Sequence, residues 1–202
     1  FKYRNAGQVC ISPTRFYVQE PVYNRFLARF TEFANAIKLG DGLEQGVTMG
    51  PLANTRRLDA MEAIVNDSKS RGGKIVAGGK RRGNQGYFFE PTVVTELPDD
   101  AKLMTDEPFG PIAPVVTFKT FDEVVARANS LKFGLAAYAF TSSAQTANLV
   151  GDALESGMVG VNSVAISTPE TPFGGVKDSG YGHEGGIEGL EAYMVRKFIS
   201  QG

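Results

Sequence analysis

The sequence predicts an α/β protein with a largely parallel sheet flanked by helices, for two reasons. Strand-like and helix-like segments alternate from residue 112 to 162, the order expected of βαβ units. One of those strand-like runs, 135–141, is almost wholly apolar, as a strand buried on both faces should be.

Each element has its own signal. Residues 14–19 (T-R-F-Y-V-Q) combine aromatic and β-branched residues and predict a strand. Pro21 then opens a helix, because its fixed φ suits a first turn. Val22, Phe26, Phe30, Phe33 and Ile37 recur at helical spacing until Gly40 ends it. Asn54 can cap a second helix carrying Leu58, Met61, Ile64 and Val65, stopped by Gly72 and Gly73. Residues 74–77 form a short strand, 78–86 a polar turn, and 88–97 an extended segment. Pro91, lacking a donor, points to an edge position there.

Residues 112–118 are a further strand. Thr120 and Glu123 then have capping-box spacing for a helix running to the vicinity of Gly134. The apolar strand 135–141, a helix over 143–154 and a strand over 158–162 follow. A loop rich in Gly, Ser, Thr and Pro extends to Gly186, a length uncommon in loops without a function. A short helix at 187–193 and a strand at 195–200 close the sequence, which contains no internal repeat.

The 202 residues suffice for one domain with a substantial core. The formal net charge is -1, so no electrostatic attraction to nucleic acid or to an anionic membrane is expected. No apolar run approaches the roughly 20 residues that a spanning helix needs. The single cysteine excludes an intrachain disulfide and points to a reducing, cytoplasmic setting. The sequence lacks an initiator Met and places reactive chemistry within its first ten residues, so it is expected to be the C-terminal part of a longer protein.

That cysteine, Cys10, is either a small buried core residue or a reactive thiol. Asn5-Ala6-Gly7-Gln8 before it favours a turn, which can hold a thiol at a cleft with backbone N–H groups around it. Glu107-Pro108-Phe109-Gly110-Pro111 reads, from its residues alone, as a Pro-bounded loop with an exposed acid and a core-facing Phe. Gly180, Gly182 and Gly185 satisfy G-x-G-x-x-G, but no strand leads directly into them and no acid follows at the required distance. They are rejected as a dinucleotide site. His183 is the only histidine, so no metal site is expected.

Together, N-A-G-Q-V-C at 5–10, E-P-F-G-P at 107–111 and P-F-G-G-V-K-D-S-G-Y-G at 172–182 resemble the NAD(P)-dependent aldehyde dehydrogenases. The resemblance spans essentially the whole chain and corresponds to the family's catalytic part. It implies a catalytic domain over 1–186, a C-terminal helix and oligomerisation strand over 187–202, and a dinucleotide-binding domain absent from this chain. It further implies that Cys10 attacks an aldehyde to give a thiohemiacetal and then a thioester. Glu107 would accept from the nicotinamide ribose hydroxyls, and Phe109 would pack near the nicotinamide, the cofactor being NAD or NADP. Within the family, F-K-Y-R-N-A-G-Q-V-C is most similar to the succinate-semialdehyde dehydrogenases. That similarity implies that Arg4 and Ser167 hold a substrate carboxylate and that Phe173 lines the aldehyde tunnel. Ser12 stands where some relatives carry a second cysteine, so a disulfide switch with Cys10 is closed to this chain. The implied partners are a small aldehyde and further copies of the protein in a dimer or tetramer.

Two other readings stay open at the level of sequence. One is a catalytically silent fragment serving as a folding or oligomerisation module. The other is a Cys-dependent acyl-transfer or esterase-type enzyme that needs no nicotinamide.

Overall fold

Val93, Val94, Ile112 and Val115 have no solvent exposure, because the two strands that carry them stand in the middle of a four-stranded sheet. The structure, a computed structural model, describes residues 1–202 and divides into two units, Phe1–Val124 and Val125–Gly202. This division falls inside the segment 1–186 expected as one domain, and residues 187–202 belong to the second unit.

The first unit's sheet contains β1 (Phe16–Gln19), β2 (Lys74–Ala77), β3 (Thr92–Thr95) and β4 (Ile112–Phe118), in the order β1-β4-β3-β2. β4 runs parallel to both β1 and β3, with Val115 opposite Phe16 and Ile112 opposite Thr92, whereas β2 is antiparallel to β3. The expectation of an edge at Pro91 is corrected: β3 is central and wholly buried. Pro91 is tolerated because it stands just before the ladder, and Thr92 N–H donates to the Pro111 carbonyl at 2.8 Å.

Helix α1 (Glu20–Ala36) has Pro in its first turn and ends before Gly40, where Ile37 turns extended. Its Phe26 and Phe30 stack at 5.4 Å, and Phe16 of β1 closes on Phe30 at 5.0 Å. Helix α2 (Thr55–Ser70) is capped as its sequence predicts, the Asn54 side chain accepting from Arg57 N–H. Leu58, Met61, Ile64 and Val65 form its buried face. A four-residue helix, α3 (Lys102–Thr105), leads into the loop before β4.

Helix α4 (Phe121–Asn129) crosses the division between units. Thr120 caps it at Glu123 N–H, but the Glu123 carboxylate reaches back to Lys119 N–H, not to Thr120 as the capping box would have it. It stops well before Gly134, and the Asn129 side chain bridges Ala153 and Glu155. In the second unit, β6 (Ala136–Ala139) and β7 (Met158–Val161) are parallel and joined by α5 (Ala144–Ala153), a single βαβ unit. β6 is half-buried, not covered on both faces as its apolar composition predicts. β5 (Phe133–Gly134) pairs antiparallel with β8 (Val176–Lys177) inside the long loop.

The C-terminal helix is 3₁₀, Glu188–Tyr193. The expected last strand, 195–200, is not formed: those residues pair with nothing, and Val195 and Phe198 are more than nine-tenths exposed. No helix is long and apolar enough to cross a membrane.

Candidate active site

The thiol turn owes its shape to three successive left-handed residues, Asn5 (φ 50°), Ala6 (φ 53°) and Gly7 (φ 72°). A non-glycine residue there costs roughly 1–2 kcal/mol. Asn5 offsets part of that cost through its side-chain amide, which donates to the Gln8 carbonyl at 3.0 Å. Gly7 has no substitute, since a Cβ on it would stand 2.2 Å from the Gly110 carbonyl oxygen. The strain is held from outside. Tyr3 is buried, stacks on Phe30 at 5.8 Å and donates its hydroxyl to the Thr92 carbonyl at 3.1 Å, tying the turn to α1 and β3. Burial pushes the Tyr3 hydroxyl pKa well upward. Gln8 accepts from Ala53 N–H at 2.8 Å, and Ser12 donates to the Lys2 carbonyl at 3.3 Å. Beyond these anchors Cys10 is a free thiol exposed to solvent. The reading of Cys10 as a buried core residue is thereby excluded.

The loop 107–111 packs directly on this turn through the Gly7–Gly110 contact. Gly110 is pressed from its other side by Met61 of α2, whose sulfur lies 2.1 Å from the position a Cβ would take. Two glycines therefore let the thiol turn, the loop and α2 approach as closely as backbone allows. Arg57, in the first turn of α2, donates from Nη2 to the Pro108 carbonyl. Phe109 is left-handed (φ 43°) and half-buried, so its backbone is strained between the Pro108 and Gly110 anchors. Glu107 is exposed. An ionised carboxylate on such a loop offers acceptors only, which fits the hydroxyls of a vicinal diol such as a ribose.

Two residues that no sequence pattern singles out, Lys2 and Arg57, complete this set, together with the long-range contacts of Gln8. Gln8 is legible as a turn residue, bonded to Asn5, but its bonds to Pro51 and Ala53, 43 and 45 residues away, are not. Lys2 is 3 % exposed and its Nζ has no hydrogen-bond partner. Burial lowers its pKa from 10.5 to about 7, with the charge of Glu107 acting in the opposite direction.

Arg4 is exposed and lines a cavity of about 200 Å³ with Phe1, Tyr3, Phe33, Ala36, Ile37 and Thr48. Cys10 is not part of that lining. In the second unit, Ser167 and Phe173 do come together. They line a cavity of about 460 Å³ with Thr168, Pro169, Glu184 and Gly185. Its wall is a pair of backbone bonds, Phe173 N–H to Glu184 carbonyl at 2.6 Å and Glu184 N–H to Phe173 carbonyl at 2.8 Å. The G-x-G-x-x-G segment lies within this folded-back loop and leads into a 3₁₀ turn, with no α-helix following it.

Comparison with known proteins adds a second line of observation. The profile of the Aldehyde dehydrogenase family matches residues 1–199. The chain is 45 % identical over 201 residues to a probable succinate-semialdehyde dehydrogenase [NADP(+)] of Sinorhizobium fredii, covering all of this chain and 41 % of that protein. It is 43 % identical over 201 residues to a 3-sulfolactaldehyde dehydrogenase of Pseudomonas putida, again covering 41 % of it. The crystal structure of succinate-semialdehyde dehydrogenase from Burkholderia pseudomallei superimposes with a TM-score of 0.93 at 42 % identity, over 95 % of this chain and 40 % of that one. The chain thus spans about two fifths of the length of the curated relatives it matches.

Proposed function

This chain belongs to the aldehyde dehydrogenase family, and we propose that it is the thiol-bearing part of an enzyme that oxidises an aldehyde with an anionic tail to the carboxylate. Succinate semialdehyde is the first candidate substrate, and NAD or NADP the oxidant. The observation that carries this reading is the exposed Cys10 thiol, held on a strained turn that packs through Gly7 onto Gly110 of the loop bearing Glu107.

The chemistry divides among the chain's residues. The Cys10 thiolate forms a C–S bond to the aldehyde carbon while the carbonyl electrons move onto oxygen. The Cys10 backbone N–H is one donor for that oxyanion. A bound NAD or NADP would supply the hydride acceptor for that carbon, so that the oxyanion on Cys10 could close to a thioester. Water then adds to the acyl carbon and gives up its protons to solvent as Cys10 leaves as thiolate, which suits the role because sulfur is a good leaving group. Glu107 would accept from the ribose hydroxyls of that cofactor, and Phe109 would pack near its nicotinamide. Arg4 and Ser167 recognise the substrate's anionic tail, since a guanidinium fork pairs with a carboxylate through two parallel bonds. Phe173 lines the path of the aldehyde.

A dinucleotide-binding domain outside this chain would complete the cofactor site. The segment 187–202 contributes to assembly with further copies, in a cytoplasmic enzyme. The test of the activity is reduced-cofactor formation by the full-length protein with succinate semialdehyde. Cys10→Ala is expected to remove turnover while leaving cofactor binding intact; activity above a few per cent in that variant would overturn the assignment.

A further inference from the structure

Lys177 is left-handed (φ 56°), a conformation that strains any residue with a Cβ. Between residues 163 and 186 the other left-handed residues, 180, 182, 185 and 186, are all glycines, which adopt it freely. A glycine at 177 would suit the turn better, so the backbone gives no reason for a lysine there. The side chain does. An ammonium has three donors, and three acceptors stand within reach: the Asn129 carbonyl at 2.9 Å, the Leu131 carbonyl at 3.2 Å and the Glu155 carboxylate at 2.5 Å. The two carbonyls lie at and just past the C-terminus of α4, where the helix dipole favours a cation. Glu155 follows the end of α5, and its N–H donates to the Asn129 side chain at 2.9 Å. One ammonium thus ties β8 to the ends of two helices.

We propose that Lys177 is a positioning residue for Phe173: it clamps the foot of the loop bearing that side chain against α4 and α5, and so fixes one wall of the aldehyde's path. This rests on the reading of Phe173 as lining that path. β8 is the foot of the loop and pairs with β5 over two residues only, a ladder too short to hold a loop by itself. Just before β8, the Gly174 carbonyl oxygen lies 2.1 Å from where a Cβ on Gly157 would stand, so the chain is pressed on the segment that follows Glu155. Just after β8, Ser179 Oγ accepts from Gly134 N–H at 2.9 Å. Phe173 adjoins Gly174 and is held on its other side by the backbone pair with Glu184. Releasing the ammonium frees the Gly174 contact and lets Phe173 move with it. The Lys177 side chain is only 27 % exposed, so solvent screens its bonds in part. Strain kept at one residue by the surrounding contacts is the mark of a position with a functional constraint.

The experiment measures KM and kcat of the full-length enzyme with succinate semialdehyde and with an uncharged aldehyde of equal length. Lys177→Met keeps the reach and loses the charge, whereas Lys177→Gly also relieves the backbone. Each is expected to raise KM about tenfold on both substrates, with kcat within about twofold of the parent. An equal effect on both substrates separates a displaced wall from a lost contact to the anionic tail. Lys177→Arg should return KM to within about threefold of the parent. Glu155→Gln, which weakens one of the three contacts, should raise KM about threefold and keeps the test decisive if a Lys177 variant does not fold. In a double-mutant cycle, Lys177→Met should add nothing to the loss in Phe173→Ala. A parent-like KM in Lys177→Gly or Glu155→Gln, a loss in Lys177→Arg as large as in Lys177→Met, or losses that multiply in the double variant would overturn the positioning role while leaving the role of Phe173 intact. A parent-like KM in Phe173→Ala would instead remove the reading on which the proposal stands, and the proposal with it.

Discussion

Lys2 shows what burying a charge costs at the scale of a single side chain. In the unfolded chain its ammonium titrates near 10.5, and in the fold near 7. Between those values the unfolded chain binds more protons, so the stability contributed by Lys2 rises with pH across that window and its full penalty is present at and below about pH 7. At about 1.4 kcal/mol per pKa unit, the cost at neutral pH is on the order of 5 kcal/mol. Urea unfolding from about pH 7 to 9.5 should therefore show Lys2→Met more stable than the parent at the acid end, with the difference shrinking as pH rises. Tyr3, whose raised pKa acts only above about 10, stays outside that range. A difference independent of pH would mean that Lys2 is not buried as a charge. Arg4 is the other residue whose charge is tested at this scale, through its proposed contact with the substrate's anionic tail. A charge-assisted bidentate contact is worth roughly 1.5–3 kcal/mol. Arg4→Met in the full-length enzyme should thus raise KM for succinate semialdehyde at least tenfold more than for an uncharged aldehyde of equal length. Equal losses on both substrates would show that Arg4 only supports the turn.

At the scale of elements, the close approach of the thiol turn, the 107–111 loop and α2 depends on two glycines that are not equivalent. An alanine at position 7 meets a backbone carbonyl at 2.2 Å in a left-handed conformation, and neither obstacle can move aside. Overpacking and left-handed strain together put the cost of Gly7→Ala at about 3 kcal/mol. An alanine at 110 meets the Met61 thioether, a flexible side chain that can shift. Gly110→Ala should therefore cost less, and shortening the obstacle with Met61→Ala in the same chain should give a smaller combined loss than the two single losses added. Denaturant midpoints of the four variants check both statements. Cys10 alkylation should slow or become heterogeneous in Gly7→Ala alone, because only that change displaces the turn itself.

Across the whole molecule, the apolar surface left uncovered concentrates at the C-terminal end. Ile187, Tyr193, Val195, Phe198 and Ile199 are all more than seven-tenths exposed, in a segment that forms no strand with its own chain. Unpaired backbone with apolar side chains is a template for strand addition, which supports the proposal that 195–200 becomes a strand only against another subunit. Removing residues 195–202 from the full-length protein should lower its mass by light scattering. An unchanged oligomer of unchanged stability would refute an assembly role.

The α/β class, the elements of the first unit other than α3, and the turn before Cys10 were legible in the sequence alone. Each rests on a local cause: helical spacing over α1 and α2, the Asn54 cap, alternation around β4, and turn chemistry at 5–8. Strand neighbours were not so determined. Pro91 marks an edge by its missing donor, yet β3 is central because the proline stands one residue outside the ladder. The apolar run 135–141 carries a composition for double coverage, yet what packs on a strand is decided by other segments. The same holds for 195–200, whose pattern specifies a strand but cannot supply its partner. Within the site, Cys10 was legible because its turn is local, whereas the burial of Lys2 and the bonds joining Gln8 to Ala53 and Arg57 to Pro108 were not. Burial and long-range hydrogen bonds are properties of the folded chain, and only the tertiary structure could assign them.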